Sequence, residues 1–174
     1  MKKGLICLLI PVLMSPTVED KKSEALAVHN EARKAVGQAP LKWSDDLEKD
    51  AQVYANYLAK RDKGLVHDKD NTDGENIYMS SYFYHDSNGE KHYFQPDENY
   101  LKSASEAWLS EREEYRYQKV TASNYHGTGH YTQMIWSTTQ FVGIASAVSP
   151  SGSIYVVARY NPPGNWLGAY PYKR

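Results

Sequence analysis

The chain has 174 residues, of which 41% are hydrophobic and 24% are charged. This composition is typical of a soluble globular protein with one domain and excludes an intrinsically disordered chain. Lys and Arg together number 20, while Asp and Glu together number 21. This near balance argues against nucleic acid as a partner, because a nucleic-acid-binding domain concentrates positive charge.

The first residues have the pattern of a secretory signal peptide. Met1-Lys2-Lys3 is a basic start, residues 5–13 form an apolar run, and small or polar residues follow at positions 15–17. The apolar run is about half of the ~20 residues that a membrane-spanning helix requires. We therefore predict a signal peptide over residues 1–18 and a secreted, extracellular protein. The alternative is a cytosolic protein with a buried N-terminal helix.

The only cysteine, Cys7, lies inside this predicted signal peptide. The mature protein would then contain neither a thiol nor a disulfide. Its stability would have to come from its hydrophobic core, which is feasible at this length. A cysteine nucleophile and a zinc ribbon are excluded on the same grounds.

Hydrophobic periodicity and capping residues predict helices first and strands last along the chain. The spacing of apolar residues predicts helices over 23–36, 45–63 and 97–114, and a short helix over 130–136. Two β-rich runs, 141–148 and 154–160, are separated by Ser149-Pro150-Ser151-Gly152-Ser153 and predict an antiparallel hairpin. This order of elements indicates the α+β class.

A further hairpin is predicted before the third helix, where Asn88-Gly89 separates two aromatic runs. A two-residue turn at Asn88-Gly89 would place His85 opposite His92. Facing histidines would bind a second metal ion or respond to pH near about 6. The alternative is an exposed pair without a role.

Two histidines and two glutamates occur in contexts that suit a functional site. They are His67, Glu75, Glu111 and His130. Neutral imidazoles and carboxylates together suit a divalent cation, either as direct ligands or as supports for a ligand. The separations along the chain are long and no H-E-x-x-H motif is present. The residues alone therefore leave ordinary surface or core roles open.

Other polar residues are assigned to structural roles. His29 and Arg33 lie one helical turn apart in the first predicted helix, which favours packing and hydrogen bonding over metal ligation. Asn76 is expected to brace the segment that carries Glu75 through side chain-to-backbone hydrogen bonds.

Six short segments of the chain resemble, in the same order, the motifs of one superfamily. They are His29-Asn30-Glu31-Ala32-Arg33, Pro40-Leu41-Lys42-Trp43, Gly74-Glu75-Asn76-Ile77-Tyr78, Ala107-Trp108-Leu109-Ser110-Glu111, Gly129-His130-Tyr131-Thr132-Gln133-Met134-Ile135-Trp136 and Val157-Ala158-Arg159-Tyr160-Asn161-Pro162-Pro163-Gly164-Asn165. The chain thus resembles the CAP superfamily, the cysteine-rich secretory, antigen 5 and pathogenesis-related class. In its lack of disulfides it is similar to the Golgi-associated plant pathogenesis-related subgroup.

The resemblance implies a fold and a site. It implies a CAP (SCP) domain over residues 23–170, built as an α-β-α sandwich around a three- or four-stranded antiparallel sheet. It also implies a central cleft that contains His67, Glu75, Glu111 and His130. Such a cleft would hold zinc or another divalent cation, mainly through the two histidines.

The same resemblance implies a binding module rather than an enzyme. Its partner would be a small hydrophobic ligand such as a sterol or fatty acid, membrane lipids, or another protein, and we expect a monomer or a weak dimer. The alternative is a metal-dependent hydrolase of peptides or esters. In that case Glu75 or Glu111 would activate a water molecule on the metal.

The signal-peptide hypothesis makes a direct prediction. When the full-length chain is expressed in a secreting cell, N-terminal sequencing of the exported protein should begin between about residues 16 and 23. An intact Met1 on the mature protein would contradict it.

Overall fold

A computed structural model describes residues 17–81, 83–93 and 99–174. The predicted signal peptide lies outside the described residues, apart from its last two positions. The helices and strands in chain order are α1 (Val18–Ala35), β1 (Lys42–Trp43), α2 (Asp45–Arg61), β2 (Gly74–Ser81), β3 (Phe83–His85), β4 (Lys91–Tyr93), α3 (Tyr100–Ser110), α4 (Ala122–Tyr125), α5 (Gly129–Met134), β5 (Phe141–Val148) and β6 (Ser153–Asn161). Among these helices, none combines the length and the apolar character needed to cross a bilayer.

Four of the strands form one sheet in the order β1-β5-β6-β2. The β5–β6 hairpin is antiparallel, as predicted, and β2 pairs antiparallel with β6. The prediction of an antiparallel sheet needs one correction, because β1 runs parallel to β5 through Lys42 and Trp43. This parallel pair is possible because α2 and the elements after it carry the chain back to the same edge.

Both faces of the sheet are buried, which confirms the α-β-α sandwich. Alternate residues of β6 point to opposite faces because the side-chain period of a strand is two. Ile154, Val156, Ala158 and Tyr160 pack in the core shared with α1, α3 and α5. Tyr155 and Val157 pack in a second core against α2. Helix α2 thus covers one face, and α1, α3 and α5 cover the opposite face.

The helix boundaries follow from capping residues. Helix α1 begins earlier than predicted because Thr17 and Asp20 form a reciprocal capping box. Helix α2 begins where predicted, with the Ser44 hydroxyl accepting from the Leu47 N–H. It ends two residues before the predicted Lys63, because Asp62 adopts a left-handed conformation with φ 50°.

Helix α3 is shorter than the predicted 97–114. The side chain of Asn99 accepts from the Lys102 N–H and caps the first turn. The predicted start at residues 97 and 98 lies outside the described residues. At the other end, the chain tightens into a 3₁₀ turn over Glu111–Glu113. This turn sets the position of Glu111.

The β3–β4 hairpin forms, but its predicted register is wrong by one residue. Tyr84 lies opposite His92, and His85 lies opposite Lys91. The loop has three residues rather than two, because the Asp86 N–H bonds the Glu90 carbonyl across Ser87-Asn88-Gly89. Gly89 has φ 81°, as the bulge of such a loop requires. A shift of one residue changes which side chains share a face, so His85 and His92 are not opposed.

A chain of buried hydrogen bonds joins helices α1 and α5 to strands β2 and β6. The Nδ1–H of His29 donates to the Ala25 carbonyl at 2.9 Å, which leaves Nε2 to accept from the Tyr160 hydroxyl at 2.8 Å. The Asn76 amide donates to the same hydroxyl at 3.0 Å and to the His130 carbonyl at 3.1 Å. The structural assignment of His29 is therefore confirmed. The Asn76 amide bonds Tyr160 of β6 and the backbone of α5, rather than the backbone beside Glu75 as predicted.

Arg33 is buried and holds the segment that follows α5. Its guanidinium donates to the carbonyls of Met134 at 3.0 Å, Trp136 at 2.8 Å and Thr139 at 3.0 Å. Its Nε donates to the Ala39 carbonyl at 2.6 Å. The hydrogen-bonding role predicted for Arg33 is confirmed.

The His29 environment predicts a loss of stability in weak acid. Burial lowers the pKa of His29 from 6.5 to about 4, so the folded protein resists a proton that the unfolded chain accepts. Stability is fully present above the unfolded pKa and falls as pH drops from 6.5 towards about 4. The loss attributable to this one group is on the order of 3 kcal/mol.

Urea unfolding of the wild type and His29→Gln across this pH window measures the effect. The variant should be less stable near neutral pH, but its unfolding free energy should fall less steeply as the pH is lowered. The exposed His126→Gln substitution controls for the loss of one titrating imidazole. If the unfolding free energies of the wild type and His29→Gln changed equally with pH, the lowered pKa of His29 would be contradicted.

Candidate functional site

The structure pairs the first predicted histidine with the first predicted glutamate. His67 lies in the loop after α2, and its Nδ1 is 2.5 Å from Glu75 Oε1. Glu75 is the second residue of β2 and is buried. The β2–β6 register places Glu75 opposite Arg159.

Arg159 is a site residue that the sequence analysis missed. It is 3% exposed, and its guanidinium donates to Glu75 Oε2 at 2.6 Å and to Asp68 Oδ2 at 2.7 Å. The Asp68 N–H in turn donates to Glu75 Oε1 at 3.1 Å. The available signal was a charged residue between Ala158 and Tyr160 in an otherwise apolar strand, since such a residue needs buried partners.

The second predicted pair is also in contact. Glu111 Oε1 lies 2.6 Å from His130 Nδ1. Its other oxygen accepts the backbone N–H groups of His130 at 2.9 Å and Tyr131 at 3.0 Å. These N–H groups lie in the first turn of α5 and would otherwise lack partners. The Trp108 ring stacks on the His130 ring, with centroids 6.1 Å apart and an interplanar angle of 24°.

Strand β2 and helix α5 hold the two His–Glu pairs in one region. Asn76 donates to the His130 carbonyl, and a Cβ on Gly74 would collide with the Gln133 side chain. The Tyr125 ring lies within electrostatic range of both carboxylates. Burial raises its pKa, a hydrogen bond from Asn165 opposes this, and the charges of Glu111 and Glu75 raise it further. The grouping of both pairs around one metal ion stays a prediction.

A cleft of about 470 Å³ opens beside the His67–Glu75 pair. Tyr125 and His126 line it as well, together with the segment from Pro163 to Leu167. The described residues that line it do not include Glu111 or His130. The cleft is large enough for a small ligand, whose typical sites begin at about 300 Å³.

The segment after β6 fixes α5 against this cleft. The Asn165 amide donates to the Gly129 carbonyl at 2.8 Å, and its oxygen accepts from the Thr132 hydroxyl at 2.7 Å. The Gly164 N–H donates to Gln133 Oε1 at 3.0 Å. The polar residues around His130 therefore position α5.

The hydrogen bonds define how each imidazole can act. Each Nδ1 faces an ionised carboxylate and therefore carries the ring proton, which leaves Nε2 as the lone-pair nitrogen. This is the arrangement in which a carboxylate orients a metal-ligating histidine. Both oxygens of each glutamate are occupied by N–H donors. Glu75 and Glu111 thus hold the rings of His67 and His130, and their role as direct ligands of an ion stays a prediction.

A separate group of metal-ligating atoms occurs in the β3–β4 hairpin. Within the described residues, Asp86, Glu90 and His92 are the one set of three whose ligand atoms all lie within 4.8 Å. His92 Nε2 is 2.9 Å from Asp86 Oδ2. This bond is the largest cause of the lowered pKa of Asp86, and backbone N–H donors in the turn lower that pKa further. The observed register therefore replaces the predicted His85–His92 pair with an Asp–Glu–His cluster.

The fold and the motifs define the class of protein. The model of the Cysteine-rich secretory protein family, CAP, matches residues 26–160. The chain therefore belongs to this family, and the resemblance inferred from the six motifs is confirmed.

Relatives from plants and animals extend this assignment. The chain is 32% identical to pathogenesis-related leaf protein 4 of Solanum lycopersicum, over 97% of this chain and 94% of the relative. It is 35% identical to Golgi-associated plant pathogenesis-related protein 1 of Homo sapiens, over 82% and 83% of the two chains. The crystal structure of NaASP2 with Zn²⁺ superposes with a TM-score of 0.71 at 25% identity, over 94% and 90% of the chains.

The Arg159 contacts predict strong energetic coupling with Glu75. Arg159→Met should cost about 3–5 kcal/mol of unfolding free energy, because it leaves two carboxylates without their buried cation. Glu75→Gln should lower the free energy of unfolding less in the Arg159→Met variant than in the wild type. The difference, which is the coupling energy, should be about 0.5–3 kcal/mol.

Denaturant unfolding of the two single variants and the double variant measures this coupling. Arg116→Met, at an exposed arginine, is the matched control and should change stability by no more than about 0.5 kcal/mol. Additive costs for Arg159→Met and Glu75→Gln would show that the ion pair is energetically unimportant.

Proposed function

We propose that this protein is a secreted ligand-binding module of the CAP family, in which His67 and His130 bind a divalent metal ion through Nε2. The observation that supports this most directly is the matched pair of carboxylate–imidazole contacts. In each pair the glutamate engages Nδ1, so the nitrogen that remains is a neutral metal ligand. Zinc is a fitting ion, and the solved relative NaASP2 contains Zn²⁺.

Two protein ligands leave coordination positions for water or a bound ligand. Zinc sites with fewer than four protein ligands keep such open positions, whereas structural sites close them. The cleft beside His67 provides space for that ligand. This arrangement favours a binding or exchange role over a purely structural one.

The carboxylate contacts favour binding over hydrolysis. A general base must accept a proton from water, so it needs a free oxygen in reach of its substrate. Glu75 is occupied by His67, Arg159 and the Asp68 N–H, and Glu111 is occupied by His130 and two backbone N–H groups. The alternative of a metal-dependent hydrolase would require one of them to leave these partners.

The composition of the cleft wall suggests an amphipathic ligand. Leu167, Pro163 and Ala122 contribute apolar surface, while His67 and Asp68 contribute polar atoms at the same opening. A small hydrophobic molecule with a polar head, such as a sterol or fatty acid, would satisfy both kinds of surface. The plant relatives are pathogenesis-related proteins, which supports an extracellular role in defence.

Zinc titration of histidine variants tests the proposal. His67→Ala combined with His130→Ala should abolish zinc binding at the site and leave the fold intact, because neither ring lies in the hydrophobic core. Glu75→Gln and Glu111→Gln should each weaken binding by about 10- to 100-fold, as expected for residues that orient a ligand. Acidification should release the metal, since only the neutral ring binds it.

His92→Ala is the matched control, because it removes an imidazole from the hairpin cluster alone. Calorimetry of His92→Ala should then show the wild-type zinc affinity at the His67/His130 site. Undiminished binding in the His67/His130 double variant, together with loss in His92→Ala, would move the metal site to the hairpin. Turnover of a peptide or ester that disappears in the double variant would favour the hydrolase.

A further inference from the structure

An exposed apolar turn follows the cleft-lining segment near the end of the chain. Trp166 and Leu167 are 61% and 69% exposed, although they are large hydrophobic residues. The Ala169 N–H bonds the Trp166 carbonyl at 3.1 Å and closes a tight turn. Gly168 has φ 84°, the left-handed conformation that this turn needs and that favours glycine.

The turn is held firmly by the residues beneath it. The Gly168 N–H donates to the Val120 carbonyl at 2.8 Å, and the Val120 N–H donates to the Ala169 carbonyl at 2.9 Å. The Tyr117 and Tyr170 rings stack with centroids 5.0 Å apart. The two apolar side chains are therefore presented on a fixed backbone, which lowers the entropic cost of using them for binding.

Two cations lie over the stacked tyrosines next to this turn. Lys119 Nζ lies 5.9 Å from the Tyr170 ring centroid, and Arg174 Cζ lies 4.1 Å from the Tyr117 ring centroid. Residues 117–120 and 162–174 contain Lys119, Lys173 and Arg174 but neither Asp nor Glu. The whole chain, in contrast, has a formal net charge of −1. Further back, residues 111–116 carry Arg112 and Arg116 against Glu111, Glu113 and Glu114, so the excess of positive charge is confined to the segments next to the turn.

We propose that this turn docks the protein on an anionic lipid bilayer, with Trp166 and Leu167 inserted at the interface. Tryptophan favours the boundary between headgroups and hydrocarbon, and nearby lysine and arginine side chains favour anionic headgroups. A projecting pair of apolar residues next to cationic side chains matches a bilayer better than it matches a protein pocket. Lys119 and Arg174, which lie over the Tyr170 and Tyr117 rings, would contact the headgroup phosphates in this arrangement.

Docking would also bring the cleft to the membrane surface. Leu167 belongs both to the exposed turn and to the cleft wall. A lipid leaving the bilayer would therefore meet the cleft opening directly. The docking surface itself rests on the exposed turn and its charges and does not depend on the proposed metal site.

Co-sedimentation of the mature protein with lipid vesicles tests the proposal. Vesicles of phosphatidylcholine with roughly one-fifth phosphatidylserine should bind the protein, and added salt should weaken binding. Trp166→Ser with Leu167→Ser should reduce the partition coefficient by about 10-fold or more, since both lose their apolar contact with lipid. Lys119→Gln, Lys173→Gln and Arg174→Gln together should remove the preference for phosphatidylserine.

A matched control replaces equally exposed apolar residues elsewhere. Val53 and Val148 are 70% and 53% exposed, and Val53→Ser with Val148→Ser should bind vesicles like the wild type. The His67/His130 double variant should also bind vesicles, and Trp166→Ser alone, at a residue outside the set that lines the cleft, should keep the wild-type zinc affinity. These two results separate this proposal from the metal site.

Specific outcomes would overturn the docking surface. Wild-type protein that stays in the supernatant would exclude a bilayer and leave a protein partner as the occupant of the turn. An equal loss of vesicle binding in the Trp166/Leu167 and Val53/Val148 variants would mean that the protein adsorbs to lipid non-specifically. Brominated lipids should quench the tryptophan fluorescence of the wild type but not that of Trp166→Phe if the Trp166 ring enters the bilayer. Identical quenching of the two proteins would contradict insertion.

Discussion

The Tyr160 hydroxyl is the contact on which the arrangement of the site depends. It donates to His29 of α1 and accepts from Asn76 of β2, and Asn76 also holds the His130 carbonyl of α5. A buried polar group without partners would be costly, so these elements must be placed together. Asn76 follows Glu75 directly in the chain. One set of hydrogen bonds therefore locates a residue from each His–Glu pair.

The two pairs reach the same imidazole geometry by different electrostatic means. Glu75 is buried in the sheet and is stabilised by Arg159, a full charge that it shares with Asp68. Glu111 lies at the end of α3 and is stabilised by two backbone N–H groups of α5. In both cases one carboxylate oxygen remains for Nδ1 of a histidine. The ring orientation is thus set by contacts that involve no metal ion.

The segment after β6 connects the core, the cleft and the outer surface. Asn165 bonds α5, and Gly164 packs so closely that a Cβ there would lie 2.6 Å from Cγ of Trp136. Pro163 and Leu167 line the cleft, and Trp166 projects outward. The backbone of this segment is therefore held at both ends, by α5 at Gly164 and Asn165 and by Val120 at Gly168.

Local patterns in the sequence were sufficient for features that depend on neighbouring residues. The Ser44 cap and the β5–β6 hairpin could be predicted because capping and strand period act over a few residues. The parallel β1–β5 pair, the three-residue loop that shifted the His92 register, and the Arg159 ion pairs required the tertiary structure. Each depends on which distant backbones lie side by side, and one residue of register moves every side chain to another face. The sequence offered the four His and Glu residues as candidates, and the resemblance to the CAP motifs implied that they share a cleft. Only the packing of β2, β6 and α5 decided that Glu75 holds His67 and Glu111 holds His130, because no spacing along the chain determines which buried partners meet.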